Sequence, residues 1–410
     1  MEEIQPQIVI VNRFAPPDIS ATSQILGSLV SSLAPFYEVH VVTSRSRYDD
    51  PAAQLPAGDK LGSVRIHRVW TTRFGRATIP GRLSDYFTFY ISAPIKAFRV
   101  AKPGAIIIAM TDPPMISVPL ALVSQLRGAH LVNWLQDVFP EVAIKLGMRL
   151  GGEGFSGLLK RIRNFSLRRA KVNVVLGHRM EAIIKVNAPR NLTVVIPNWS
   201  PSERIAPLAR EQNPLATEWG IEHEFIIGYS GNLGRAHDLF ILIEAAQLLR
   251  HRDEIRILII GDGVQKSQLV EEVRKKNLTN VWFKPYQLLE NLEFSLTLPD
   301  IHLVSLKPEL EGLVVPSKFY SSVAAGKPII FIGAQDGELA RWVECATPCG
   351  IIVRPDDAEG LASAISYLCD NNAHRVKMGS NARTIYANEF STPVALNKWR
   401  ETIQKIVCGS

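Results

Sequence analysis

Short apolar runs, each closed by small or turn-forming residues and followed by helical spacing, recur along the whole chain. Gln7 to Asn12 is the first, and Arg13-Phe14-Ala15-Pro16-Pro17-Asp18 behind it is a loop, because two prolines cannot continue a strand or a helix interior. Ile25, Leu26, Leu29, Val30 and Leu33 then share one face of a helix predicted over 21–34, and Glu38 to Thr43 returns as a strand. Strand, helix and strand with a short return make a parallel crossover unit, and runs at 64–69, 105–109, 131–135 and 172–176 extend the series. The second half repeats it with strands predicted at 225–229, 256–260, 281–283, 301–306, 327–332 and 350–353. The fold class is therefore α/β, with two doubly wound, Rossmann-like domains. Their predicted bounds are 1–198 and 215–392, joined by a polar, proline-bearing linker at 199–214. The amphipathic segment 393–410 carries Val394, Leu396, Trp399, Ile403 and Val407 and is expected to pack back on the first domain.

Length agrees with this division: 410 residues suit two domains of roughly 200 residues, each large enough to bury a core. With 46% hydrophobic and 21% charged residues the chain is neither disordered nor fibrous. The four cysteines (Cys345, Cys349, Cys369, Cys408) have neither the spacing nor the histidines of a zinc site, so reduced thiols and a cytoplasmic location are expected. An acidic start that runs directly into a strand argues against a signal peptide. No apolar run reaches 18 residues, so no spanning helix is expected.

The net charge of +7 is unevenly spread. Arg65, His67, Arg68, Arg73, Arg76, Arg82, Lys96, Arg99 and Lys102 concentrate it between residues 65 and 102, interleaved with aromatic residues. Such a stretch suits an anionic lipid surface or a pyrophosphate-linked acceptor, or it is a solvated face over an aromatic core. No nucleic-acid-binding motif accompanies it, so nucleic acid is not an expected partner.

Candidate chemistry begins with Phe225 to Asp238, where an apolar run ends in Tyr229-Ser230-Gly231-Asn232-Leu233-Gly234-Arg235 and a helical pattern follows over 239–249. The reading is a phosphate cradle. Gly231 and Gly234 would let the backbone approach an anion, and the N–H groups of a helix starting near Leu233 would bind it. A second half-site lies at Pro316-Ser317-Lys318, where proline and serine open a short helix ending at Gly326 and Lys318 brings a point charge. In the first half, Asp112 and Asp137 each follow a buried strand and suit a base or a hydroxyl ligand, although an isolated Asp serves equally as a cap or turn residue. Glu141 reads as a first-turn helix acid, and His178 as a capping or buried histidine.

The series Phe-x-Pro-Pro-Asp, Gln-Asp-x-x-Pro-Glu, Pro-Asn-Trp, Tyr-Ser-Gly-Asn-x-Gly, Gly-Asp-Gly and Pro-Ser-Lys-x-Tyr-x-x-x-Ala-Ala-Gly-Lys-Pro resembles the glycosyltransferase family 4 enzymes of the GT-B fold, in the branch that builds bacterial surface polysaccharides. The resemblance covers nearly the whole chain and is most specific in its second half. It implies two Rossmann-like domains facing across a cleft. It further implies a nucleotide-sugar donor, UDP-linked in preference to GDP-linked, as substrate rather than cofactor, and retention of configuration without a metal. Carried over by position, it puts Asp137, Glu311 and Lys318 in the catalytic set. Ser230, Gly231, Asn232, Gly234 and Arg235 would lie at the donor phosphates with Gly261, Pro316 and Ser317, while Lys284 and Tyr286 would lie against the base. Pro17, Asp18 and Ser20 would approach the acceptor or phosphate.

Three departures change what is expected. Ser321 stands where many members have a ribose-binding glutamate, Gly231-Asn232 replaces a Gly-Arg pair, and Asp18-Ile19-Ser20-Ala21 replaces a glycine-rich first loop. Positive charge at the phosphates must then come from Arg235 or Lys318. The expected acceptor is a saccharide carried on a lipid such as undecaprenyl pyrophosphate, with the protein peripheral on the inner face of the cytoplasmic membrane. A nucleotide-sugar epimerase and a non-catalytic nucleotide-binding scaffold are the alternatives.

Overall fold

The computed structural model describes residues 5–18, 20–48, 50, 53–75, 78–148, 152–200 and 205–409. Arg76 of the basic stretch, Ile19 of the first loop and residues 201–204 of the expected linker lie outside them. The chain divides into two compact units, one built of 1–197 with 395–410 and the other of 198–394.

In the first unit the strands are β1 (Gln7–Val11), β2 (Glu38–Ser44), β3 (Gly58–Leu61), β4 (Val64–Val69), β5 (Ile106–Met110), β6 (His130–Trp134), β7 (Val172–Val175) and β8 (Leu192–Val195). They form one sheet in the order β3-β4-β2-β1-β5-β6-β7-β8, parallel except for the antiparallel edge strand β3. Every residue of β1 and β5 is buried, as expected of central parallel strands covered on both faces. Helix Ala21–Leu33 presents the predicted Ile25, Leu26, Leu29, Val30 and Leu33 to the interior. Elements absent from the predicted series include β8, the four exposed residues of β3, and a 22-residue helix Ile79–Val100 that crosses the basic and aromatic stretch. That helix turns Phe89, Ala93 and Ala97 into the core cluster shared with β1 and β5. The final helix, Thr392–Val407, sets Trp399 against Trp134 with ring centroids 4.7 Å apart, both fully buried.

The second unit holds β9 (Phe225–Ser230), β10 (Ile255–Ile260), β11 (Val281–Lys284), β12 (Ile301–Ser305), β13 (Ile329–Ile332) and β14 (Gly350–Val353). The sheet is wholly parallel, ordered β11-β10-β9-β12-β13-β14. One face is covered by helices Phe240–Leu248 and Ala358–Asp370 and the other by helix Pro214–Trp219.

The strand order reverses between β9 and β12, so the crevice for ligands lies at the carboxyl ends of that pair. The two strands pair only at Ile301 with Ile227 and His302 with Gly228, and beyond these residues the ladder stops. The carbonyl of Ser305 is thereby left for other partners. The equivalent reversal in the first unit lies between β1 and β5.

Candidate functional site

At the end of β9 the chain does not turn straight into a helix. The helix begins at Phe240, not near Leu233, and residues 231–239 form a loop. Gly231 (φ 124°) and Gly261 (φ 144°) are glycines for a packing reason. A Cβ on Gly261 would stand 2.1 Å from the Gly231 carbonyl oxygen, and one on Gly231 would stand 2.8 Å from Lys318 Cε. The Gly231 N–H donates to the Ile260 carbonyl and the Leu233 N–H to that of Asp262, each at 2.8 Å. These two amides are therefore not available to an anion, which corrects the simple cradle read from the sequence. Among the described residues the amides of Gly234 and Arg235 have no protein acceptor.

Lys318 meets this loop from the short helix Lys318–Ala324, for which Ser317 is the N-cap, with Pro316 buried just before it. Its Nζ donates to the Asn232 carbonyl at 3.3 Å and lies 3.1 Å from His237 Nε2, over the Tyr229 ring at 5.0 Å from the centroid. His237 Nδ1 is 2.5 Å from the Ser305 carbonyl, which can only accept, so Nδ1 carries the proton and Nε2 receives the lysine. Burial first, and then the charge of Lys318, pulls the His237 pKa down to about 3. Burial likewise pulls Lys318 down to about 7, and its ammonium lies against a neutral imidazole, a carbonyl and a ring face. The lysine is thus held at the crevice with no carboxylate partner among the described residues.

The loop is braced from two further sides. Gln265, which follows Gly-Asp-Gly, donates through Nε2 to the Gly234 carbonyl and to that of His237, and Tyr229 donates its hydroxyl to the Asn232 carbonyl at 3.0 Å. Ser305 Oγ accepts from the Asp238 N–H at 3.0 Å. His237, Gln265, Tyr229 and Ser305 had no role in the sequence reading. Only their nearness to glycines hinted at one.

In the first unit, Asp137 lies just past β6 in a cavity of about 20 Å³ shared with Thr111, Ser117, Phe139, Arg163 and Ser166. That is room for one water. Its Oδ1 has no hydrogen-bond partner among the described residues, and burial, with a smaller contribution from the Asp112 charge, raises its pKa to about 7. Glu141 opens helix Glu141–Lys145 and pairs with Arg163 at 2.9 Å, and His178 opens helix His178–Asn187 beside Glu181. Asp18 accepts from the N–H groups of Ser20 and Tyr48 at 2.8 and 2.6 Å, so it holds its own turn. Past β1, Arg13 pairs with Asp85 at 3.3 Å, with their side chains 3% and 1% exposed. Its guanidinium lies between the rings of Phe14 and Tyr86, 5.0 Å from each centroid. Sequence reading missed this ion pair, whose members are 72 residues apart.

Residues 213–385 match the family model described as glycosyl transferases group 1. The chain is 29% identical over 325 residues to WbjE of Pseudomonas aeruginosa, named as a probable glycosyltransferase, covering 77% of this chain and 78% of that one. The chain is a glycosyltransferase. It is also 28% identical over 369 residues to WcaI of Escherichia coli, named for colanic acid biosynthesis glycosyl transfer, covering 85% of this chain and 88% of the relative. Its fold is GT-B. Anabaena HepE in complex with UDP-glucose superposes with a TM-score of 0.71 at 18% identity, over 97% of this chain and 99% of the other. Sucrose-phosphate synthase from Thermosynechococcus elongatus gives 0.78 at 15% identity, over 99% and 100%.

Within this glycosyltransferase the structure draws Ser230, Gly231, Asn232, Gly234, Gly261 and Lys318 into one assembly around the end of β9. Arg235 is exposed beside it and has no ion pair among the described residues. The Lys284 carbonyl accepts the Gly261 N–H at 3.0 Å, while its ammonium lies over the Trp219 ring at 4.8 Å, and Tyr286 is exposed. Glu311 accepts the Glu338 N–H at 3.0 Å, and Ser321 sits half-buried on the Lys318 helix.

Proposed function

We propose that this glycosyltransferase moves a sugar from a nucleoside-diphosphate sugar, UDP-linked in preference to GDP-linked, to a lipid-linked saccharide during bacterial surface-polysaccharide synthesis. The transfer retains anomeric configuration and uses neither a metal nor a further cofactor. The observation that carries the reading is the placement of Lys318 at the carboxyl end of β9, with no carboxylate paired to it among the described residues. The UDP-glucose bound by HepE supports a uridine donor, and the names of WcaI and WbjE support the polysaccharide setting.

In the proposed reaction the bond from the donor C1 to the β-phosphate oxygen breaks, and charge grows on that phosphate. Lys318, the amides of Gly234 and Arg235 and the Arg235 side chain stabilise it, which is the main catalytic contribution. The acceptor oxygen bonds to C1 on the same face and its proton passes to the departing phosphate. Asp137 orients the acceptor hydroxyl, Glu311 serves the donor sugar, Pro316 and Ser317 hold Lys318 in place, Ser321 takes a ribose hydroxyl, and Lys284 and Tyr286 flank the base. The basic stretch 65–102 supports a lipid-linked acceptor and a peripheral position on the inner face of the cytoplasmic membrane.

A thermal-shift and donor-turnover panel across UDP, GDP and ADP compounds, with wild type and Lys318→Ala, tests this. Stabilisation of wild type by uridine compounds alone, lost in Lys318→Ala, is the expected result. Equal stabilisation of both proteins, or of neither, removes the reading.

A further inference from the structure

Helix Ile79–Val100 is apolar on its outer side as well as its inner one, unlike an ordinary surface helix. Asp85, Phe89, Ala93 and Ala97 face inward at four-residue spacing. The opposite side, which should be polar, carries Leu83, Phe87, Ile91, Ile95 and Phe98, all exposed, with Phe87 at 65%. The apolar surface continues onto the neighbouring helix Ser117–Arg127, where Leu126 is 75% exposed and Arg127 lies over the Phe98 ring at 5.1 Å. Scattered single exposed leucines need no explanation, but a stripe along a helix about 33 Å long does.

Charge says what covers it. Between residues 60 and 111 the sequence has nine lysines and arginines and a single acid, Asp85, which is buried against Arg13. Arg99 and Arg127 flank the stripe, while Arg65 and Lys102 are taken by Glu38 and Arg68 by Asp59. A second copy of the chain docked on this face would bring like-signed rims together. An anionic bilayer would meet both features at once, taking the apolar side chains to the level of the acyl chains and the cations at the head groups.

We propose that the face formed by helix Ile79–Val100 and the Leu122–Leu126 edge of the next helix is an insertion surface for an anionic membrane, with the long helix lying in the plane of the interface. This rests on, and sharpens, the peripheral position proposed above: the apolar stripe supplies the attachment and the basic rim selects the lipid. No helix among the described residues is long and apolar enough to cross a membrane, so attachment by this face is reversible.

Full-length wild type and the double variant Phe87→Asp/Ile91→Asp are sedimented with phosphatidylcholine vesicles with and without phosphatidylglycerol. Both side chains are exposed, so folding should survive, and the uridine-nucleotide thermal shift is read on the same samples. Wild type is expected to partition at least about tenfold more onto the anionic vesicles, since each basic residue at such a surface is worth about fivefold. The double variant should lose that binding and keep its nucleotide shift. Equal binding of both proteins, or no binding by wild type, overturns the proposal. So does a wild-type dimer that the double variant dissociates without any vesicle binding, which assigns the face to a second copy. Vesicle binding of the expected pattern with no nucleotide shift in either protein would sink the donor reading and leave the insertion face standing.

Discussion

Lys318 makes the proposed donor site testable through protons rather than rates. With its pKa near 7, set by burial among neutral groups, about half of the unliganded molecules carry the charge at neutral pH and about a tenth at pH 8. A diphosphate beside the ammonium favours the charged form and returns the pKa toward its ordinary value of about 10.4. Binding at pH 8 should therefore take up about 0.9 proton per site, and about half a proton at pH 7. The sign is fixed: affinity is greatest below pH 7, where the ammonium is already present, and falls as pH rises through 7 toward the liganded pKa. Calorimetric titration with UDP at pH 7.5 to 9, in buffers of different ionisation enthalpy, reads the uptake directly. The terminal phosphate of a nucleotide, with a pKa of about 6, contributes little there. Lys318→Arg, always charged, should bind with no uptake, and Lys318→Ala should lose about 10- to 100-fold in affinity, the worth of one charge-assisted hydrogen bond. An observed enthalpy that does not vary with buffer at pH 8, alongside tight wild-type binding, would refute the argument that this lysine receives the phosphate.

Three other outcomes are expected. Gly261→Ala forces a Cβ to within 2.1 Å of the Gly231 carbonyl at a φ of 144°, so it should cost upward of about 2 kcal/mol in denaturant unfolding and remove nucleotide binding. Asp137 has a folded-state pKa of about 7 against an ordinary 3.8, so the folded protein binds the extra proton and its stability falls as pH climbs from about 4 to 7. Asp137→Asn lacks that loss, and its melting temperature should exceed that of wild type increasingly up to pH 8, while transfer at pH 8 falls; superimposable melting profiles would refute the burial argument. Asp85→Ala leaves the Arg13 guanidinium buried without its counter-charge and frees the N–H groups of Phe74 and Gly75, so unfolding should show a loss of about 3 kcal/mol or more.

The central parallel strands were legible because nearly every residue of β1, β5, β9 and β10 is buried, which leaves a predominantly apolar run in each. Helix Ile79–Val100 was not, because apolar residues on both its inner and its outer side erase the 3.6-residue alternation, and Pro80 and Pro94 read as breaks. Pro94 is accommodated inside the helix all the same. Strand β3 is an exposed Gly-Asp-Lys-Leu edge with no hydrophobic signal at all. At the site, the glycines and Lys318 were visible as types. That Gly231 exists for Gly261 and Lys318 to pack against it, and that His237 supplies the lysine's acceptor across 81 residues, are contacts made by the sheet topology. No local pattern encodes them.

The last helix has a consequence for how the polypeptide is made. The first unit is not one continuous piece of chain: it takes Trp399, Ile403 and Ile406 from beyond residue 394. At ribosomal speeds of about 5–20 residues per second, the second unit takes roughly 10–40 s to synthesise, during which Trp134 waits with its side of the core open. The nascent first unit is thus a natural client for a chaperone. An expression fragment ending at residue 197 would remain in that unfinished condition, and supplying the last helix as a separate peptide is the economical way to complete it.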